Sequence, residues 1–249
     1  MIIIKDILKE LDVKLELIKR KKGLNTFYNG CGRFGLSLEK ELGISINDFS
    51  VPDINGIEIK TQKINSKYPM SLFNATCDGP DFYELNRLVS RFGACYSKYN
   101  NTKVLYIDLS AKEYSYWGRY LKMKLEIDYT KKKIFIVVAN ANGKLIEKRA
   151  YWNFSNLEES LNRKLKYLCY IQYETYYSKN KHQYKLSDVY FCSLKNFDKF
   201  ISLIESGDIV VNIKYGVYKS GVKKGKSYNH GTSFRIKKDA IFDLFDIIK

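Results

Sequence analysis

The sequence contains no run of about 18 apolar residues, the length a helix needs to cross a bilayer. Its apolar opening, Met1 to Ile4, is broken at once by Lys5 and Asp6. It also lacks the basic start and long apolar segment of a secretory signal. These absences exclude a membrane span and lead us to expect a cytoplasmic protein. The five cysteines (Cys31, Cys77, Cys95, Cys169, Cys192) are scattered, odd in number, and form no Cys-x-x-Cys pair. That argues against a zinc site or a disulfide framework and for free thiols. There is no internal repeat and no low-complexity linker. Proline is rare, and Pro52, Pro69 and Pro80 all lie in the first third. Acidic residues are scarce beside basic ones, 27 Asp+Glu against 43 Lys+Arg, for a net charge of +16. Such an excess points to a polyanionic partner, and without a membrane segment nucleic acid is favoured. The competing reading of the charge alone is a set of lysines spread evenly for solubility.

What is present suits a folded chain. Hydrophobic residues make up 45% of 249, enough for one large domain or two small lobes. Ile4, Leu8, Leu11, Leu15 and Ile18 fall on one face of a first helix, with basic residues Lys19 to Lys22 at its end and Gly23 as a cap. A glycine-rich stretch, Gly30 to Gly35, precedes a short helix around Leu36 to Leu42. Pro52-Asp53 then leads into Gly56-Ile-Glu-Ile-Lys-Thr61, whose alternation is that of a strand. Pro80 suits the start of a second helix carrying Phe82, Leu85, Val89, Phe92 and Tyr96. Residues 103–109, 121–128 and 133–150 read as strands, with a tight turn at Asn142-Gly143. Ser155 and Glu158 suggest a capping box for a helix bearing Leu157, Leu161, Leu165 and Leu168. Strands over 167–177 and 184–192, a helix over 194–206, a basic ribbon over 208–238 and a last helix from about Asp239 complete the expectation.

Cleaving a phosphodiester needs a hard cation, carboxylates to hold it, and a group that positions or deprotonates water. Asp53 lies at the head of the predicted strand. Glu58 and Lys60 share one strand face, about 7 Å apart at the backbone, while Ile57 and Ile59 point to the core. Asp53 and Glu58 could then ligate Mg²⁺, with Lys60 orienting water or steadying developing charge. On spacing alone, the Glu/Lys pair equally suits an ordinary solvent-facing couple. Three features favour chemistry: the Pro-Asp and glycine turn before the strand, its otherwise apolar other face, and the basic chain.

The basic segment supplies the second half of the argument. Between Ile209 and Lys238 stand eight Lys/Arg (Lys214, Lys219, Lys223, Lys224, Lys226, Arg235, Lys237, Lys238) and no acid. Tyr215, Tyr218, Tyr228, Asn229 and His230 interleave with them. A two-stranded ribbon of this kind fits a major groove. Its lysines would hold phosphates, and Arg235 and His230 are candidates for reading base edges. A solvated basic loop is the plainer alternative.

The Asp53, Glu58 and Lys60 arrangement resembles the PD-(D/E)xK nuclease motif. Gly35-Leu-Ser-Leu-Glu39, Pro52-Asp53 and Gly56 to Thr61 resemble the MvaI/BcnI family of restriction endonucleases. So do Ala150 to Phe154, Lys164 to Tyr167, Gly207 to Ile209, Ser220-Gly221, Lys224 to Lys226 and His230 to Ile236. The likeness spans nearly the whole chain in order and is weakest over residues 75–125. It implies a mixed α+β fold: a restriction-endonuclease-like core with a central mixed sheet flanked by helices, plus a strand-rich DNA-recognition lobe. With the shift in composition along the chain, this divides it into a catalytic lobe over 1–110 and a recognition lobe over 111–249. The resemblance further implies a type II restriction enzyme, binding double-stranded DNA as a monomer and nicking one strand at a time. Asp53 and Glu58 would be ligands of Mg²⁺, Lys60 the catalytic lysine, and Glu39 an accessory acid; Glu39 alone would read as one more charge on a helix face. Segment 214–235 matches the family's recognition part, and Arg33 joins Lys214, Lys219, Lys224, Lys226, Tyr228, Asn229, His230 and Arg235 as a candidate DNA contact. The implied target is CCWGG or a related CC-N-GG site, with a cognate DNA methyltransferase in the same system. Lys219 and Tyr228 stand where a member of the family has histidine, and Asn229 where it has aspartate, which puts the target bases in doubt. A mismatch-repair nicking enzyme of the MutH type and a non-catalytic DNA-binding protein are the alternatives.

Overall fold

The fold is that of a computed structural model describing residues 4–21, 23–25, 33–44, 51–81, 83–99, 102–178 and 181–249. In chain order the elements are α1 (Ile4–Lys19), β1 (Leu24–Asn25), α2 (Arg33–Glu41), β2 (Ile57–Lys63), β3 (Met70–Asn74), α3 (Glu84–Phe92), β4 (Ala94–Cys95), β5 (Lys103–Leu109) and β6 (Ser115–Trp117). Then come β7 (Leu121–Asp128), β8 (Lys133–Asn140), β9 (Leu145–Glu147), β10 (Tyr151–Asn153), α4 (Phe154–Leu165), β11 (Tyr167–Ser178), β12 (Lys181–Leu194), α5 (Phe197–Glu205), β13 (Ile209–Val217), β14 (Ser227–Ile236), α6 (Ile241–Leu244) and β15 (Phe245–Ile247). Among the described residues no helix is long and apolar enough to cross a membrane. Cys31, Lys22, Phe82 and Gly30-Cys31-Gly32 lie outside the described residues.

The chain forms two compact units, each discontinuous in sequence: Met1–Tyr68 with Leu161–Lys195 and Phe242–Lys249, and Pro69–Ser160 with Asn196–Ile241. The expected division near residue 110 therefore does not coincide with them. The reason is strand pairing, since β2, near the start, finds its partner in β11 more than a hundred residues later.

The first unit is built on a mixed sheet ordered β1-β12-β11-β2, with β15 added to β12. β2 and β11 run parallel, pairing Ile57 with Tyr167 and Glu58 with Leu168, while β11 and β12 form an antiparallel hairpin. The apolar stripe of α1 (Leu8, Leu11, Leu15, Ile18) packs with Ile57, Ile59, Cys169, Ile171 and Phe191 in one core cluster. The periodicity that predicts α1 is thus the periodicity it buries. β15 replaces the last part of the helix expected from Asp239: α6 stops at Leu244, and Phe245 to Ile247 pair with Leu194 to Cys192. Pairing satisfies backbone groups that a fraying helix end would leave to water.

The second unit holds a sheet ordered β3-β14-β13-β5-β4 and another ordered β10-β8-β7-β6, with β9 on β8. The basic ribbon is therefore not free-standing. Its two strands lie in the middle of a five-stranded sheet and only residues 218–226 form the loop between them. The turn expected at Asn142-Gly143 is centred one residue earlier, on Ala141-Asn142: the Gly143 N–H donates to the Asn140 carbonyl at 2.9 Å, and Gly143 follows at φ +89°. Two expectations are corrected. α3 begins at Glu84 and stops at Phe92, because Gly93 adopts an extended conformation, so Tyr96 lies outside it. Ser155 sits inside α4 rather than capping it; the chain enters α4 from β10 with the Phe154 N–H donated to the Lys132 carbonyl. Phe234 centres the aromatic core, with ring centroids 5.2 Å from Phe73, 5.5 Å from Trp152 and 5.7 Å from Phe200. Phe234→Ala should cost about 3–5 kcal/mol of unfolding free energy, read as a lowered denaturant midpoint.

Candidate active site and basic face

The local fold delivers Asp53, Glu58, Lys60 and Glu39 to one place. Ile54 and Ile57 exchange backbone hydrogen bonds of 3.0 and 2.7 Å across a two-residue turn, Asn55-Gly56, in which both residues have positive φ (42° and 91°). Asn-Gly suits such a turn because neither residue is strongly penalised there. The turn folds Asp53 back along β2, where its Oδ2 accepts the Ile59 N–H at 2.8 Å. Glu58 and Lys60 point to the face opposite Ile57 and Ile59, as the alternation predicts, and Lys60 Nζ donates to Glu58 Oε1 at 2.5 Å. Glu39 comes from α2. A Cβ on Gly35 of the same helix would lie 3.3 Å from Thr61 Oγ1 on β2, so the glycine lets helix and strand approach.

Glu58 is not a solvent-facing partner of Lys60. It is only 2% exposed, and burial pushes its carboxyl above the ordinary range, a trend Lys60 opposes and Asp53 reinforces. Glu39 is likewise raised, first by burial and then by the Asp53 charge. A second basic group, which the local pattern does not reveal, completes the cluster: Lys164 Nζ lies 3.5 Å from Glu58 Oε1. It stands in the last turn of α4, and the β11–β2 register brings that helix end beside the start of β2.

Whether this cluster suits a cation rests on one atom. Glu58 Oε2 is buried and has no hydrogen-bond partner among the described residues, an arrangement costly unless a ligand satisfies it. Among the described residues no three His, Cys, Asp or Glu side chains form a ready cage. A hard cation held by one or two carboxylates and completed by substrate and water needs no such cage. The donor set of Asp53 and Glu58 fits that kind of ion.

The second unit carries the basic face. Lys214, Lys219, Lys224, Lys226 and His230 are exposed, Tyr228, Asn229 and Arg235 half-buried. β13 and β14 slip register at Lys214, so that His230 and Gly231 stand opposite that single residue. This bulge re-aims His230, and Asn229 Oδ1 steadies it by accepting the Gly231 N–H at 2.8 Å. Tyr228 meets the His230 ring edge-on at 4.1 Å and Tyr218 at 4.5 Å. Gly216 permits the cluster, because a Cβ there would fall 1.8 Å from Tyr106 Oη and 3.1 Å from His230 Nε2. Arg235 differs from the others: its Nη2 donates to the Pro69 carbonyl at 2.7 Å. Arg33 is carried by the other unit, at the start of α2, where its guanidinium lies 5.7 Å from the Tyr184 ring centroid. Tyr106, and Thr102, whose Oγ1 donates to the Gly225 carbonyl at 2.7 Å, brace the ribbon from segments the sequence does not single out.

A model of the MvaI/BcnI restriction endonuclease family matches residues 12–245. The solved structure of restriction endonuclease MvaI in complex with its cognate DNA substrate is 27% identical, over 96% of each chain, with a TM-score of 0.88. MvaI in the absence of DNA is 28% identical over 96% of each chain, with a TM-score of 0.63. No curated protein sequence matches.

Burial, then Lys214 and Lys219, hold the His230 pKa below its ordinary value of 6.5. His230 should therefore be neutral at pH 7, with an NMR titration midpoint under 6.5. Lys214→Ala should move that midpoint upward; an unchanged or lowered midpoint would contradict the electrostatic account.

Proposed function

Since the chain belongs to the MvaI/BcnI restriction endonuclease family and is a type II site-specific deoxyribonuclease acting on double-stranded DNA, of a class that uses divalent metal, we propose that it cuts with Mg²⁺ held by Asp53 and Glu58. The observation that carries this reading is the Glu58 Oε2 beside Asp53, buried and with no hydrogen-bond partner among the described residues. When bound, Mg²⁺ supplies neutralisation of phosphate charge and acidification of water. The protein's own groups do the rest. The Ile59 N–H keeps Asp53 turned toward Glu58. Lys60 donates hydrogen bonds that orient the attacking water or steady the phosphoryl oxygens on which charge develops. Glu39, whose carboxyl is held above the ordinary range by burial and by the Asp53 charge, acts as an accessory acid.

The reading extends to recognition. Lys214, Lys219, Lys224 and Lys226 hold phosphates, while Tyr228, Asn229, His230 and Arg235 read base edges of a CCWGG or related CC-N-GG site, and Arg33 contributes from α2. The enzyme acts as a cytoplasmic monomer that nicks one strand at a time, with host DNA protected by a cognate methyltransferase.

Incubation with supercoiled plasmid and Mg²⁺ should yield nicked, then linear DNA, and sequencing the ends should return one short site. Binding without any nick would remove the enzymatic reading; cuts at unrelated sequences would remove the site-specific one. Glu58→Ala and Lys60→Ala should abolish cleavage while leaving DNA binding in Ca²⁺ largely intact, and normal cutting by either variant would rule out the assignment. Arg235→Ala should weaken binding to the specific site by about 1–3 kcal/mol more than binding to random duplex. Equal loss on both would mean that Arg235 reads no base.

A further inference from the structure

A buried carboxylate with one lysine on it presents a conflict. Glu58 is 2% exposed, and removing the only cation from such a group strands a charge in low dielectric. Yet the lysine at 2.5 Å from Glu58 Oε1 is Lys60, the group that must turn to phosphate or water during cutting. A short charge-assisted contact of this kind, made by one lysine alone, would hold the catalytic group on its neighbour.

We propose that Lys164 is a positioning residue that shares Glu58 Oε1 with Lys60, freeing Lys60 for the reacting phosphate or water while Glu58 keeps a counter-charge. The inference rests on the active-site reading above. Lys164 Nζ lies 3.5 Å from the same oxygen, beyond a short hydrogen bond but within ion-pair range. Its side chain is 12% exposed, so water screens the interaction little. Both lysines converge on Oε1, and among the described residues Oε2 has no hydrogen-bond partner, so the carboxylate has one oxygen held by ammonium groups and one left for a ligand. The backbone keeps Lys164 there. Three residues after it, Tyr167 opens β11 against Ile57, and Leu168 pairs with Glu58. A lysine so tethered cannot follow Lys60 toward the substrate, and remains as the resident counter-ion.

The sharing is read first without metal or DNA, from thermal melts of Lys60→Met, Lys164→Met and the double variant. Each single change leaves Glu58 one cation, so the double variant should lose more stability than the two singles combined. Additive losses would overturn the proposal. The second measurement is single-turnover cleavage of plasmid. Lys164→Met should slow cutting by about 10–100-fold, as loss of a group orienting a metal-binding carboxylate does. Its affinity for the DNA in Ca²⁺ should stay unchanged, and Lys164→Arg should recover much of the rate. Cutting by Lys164→Met at the wild-type rate would also overturn it. Should Lys164→Met fail to fold, Lys164→Gln, which keeps a donor without the charge, takes its place. If the unaltered protein cuts no DNA, the active-site reading falls instead, and the metal-free melts still decide whether the two lysines share Glu58.

Discussion

The parallel pairing of β2 with β11 is the constraint on which the candidate site depends. It places Glu58 beside Leu168, buries the face bearing Ile57 and Ile59 against α1, and brings the end of α4 to the head of β2. Parallel strands are stable when both faces are covered. Here the core covers one face. The other carries a buried carboxylate whose charged form is favoured by the cations nearby. Charge balance and strand register are thus one requirement: shift β11 by a residue and Lys164 no longer stands over Glu58.

The two halves of the functional argument use contrasting physics. The cluster at Glu58 is half-dry, and its electrostatics are strong because water is scarce. The basic face of the second unit is wet. Its exposed lysines are screened by salt and suit phosphate contacts whose strength falls with ionic strength. Between these extremes lies Arg235, half-buried and tethered at one nitrogen to the Pro69 carbonyl. An arginine held in this way has lost rotamer freedom on folding rather than on binding.

Legibility in the sequence followed the range of the interactions. Helix α1 and strand β2 were readable because a 3.6-residue stripe and a two-residue alternation declare which face is buried. Asp53, Glu58 and Lys60 were readable because they are close in sequence and their turn is encoded by Asn55-Gly56. The basic ribbon was readable as paired strands, though not its place inside a larger sheet, because β3 and β5 join it from distant segments. Lys164 stands in a stretch that resembles the family, but its place at Glu58 was not readable for the same reason: only the β11 register connects them. β15 was misread as helix because three residues carry too little pattern to reveal a partner strand.

The pairing also has a consequence in time. Asp53, Glu58 and Lys60 leave the ribosome early, but among the described residues β2 pairs with no strand other than β11, which emerges about a hundred residues later. Closing so long a loop is slow and comes late in folding. Until it closes, Glu58 has neither its sheet neighbour nor Lys164. A nascent or truncated chain carries every residue of the cutting motif without the arrangement that would make it dangerous to the DNA of the cell producing it.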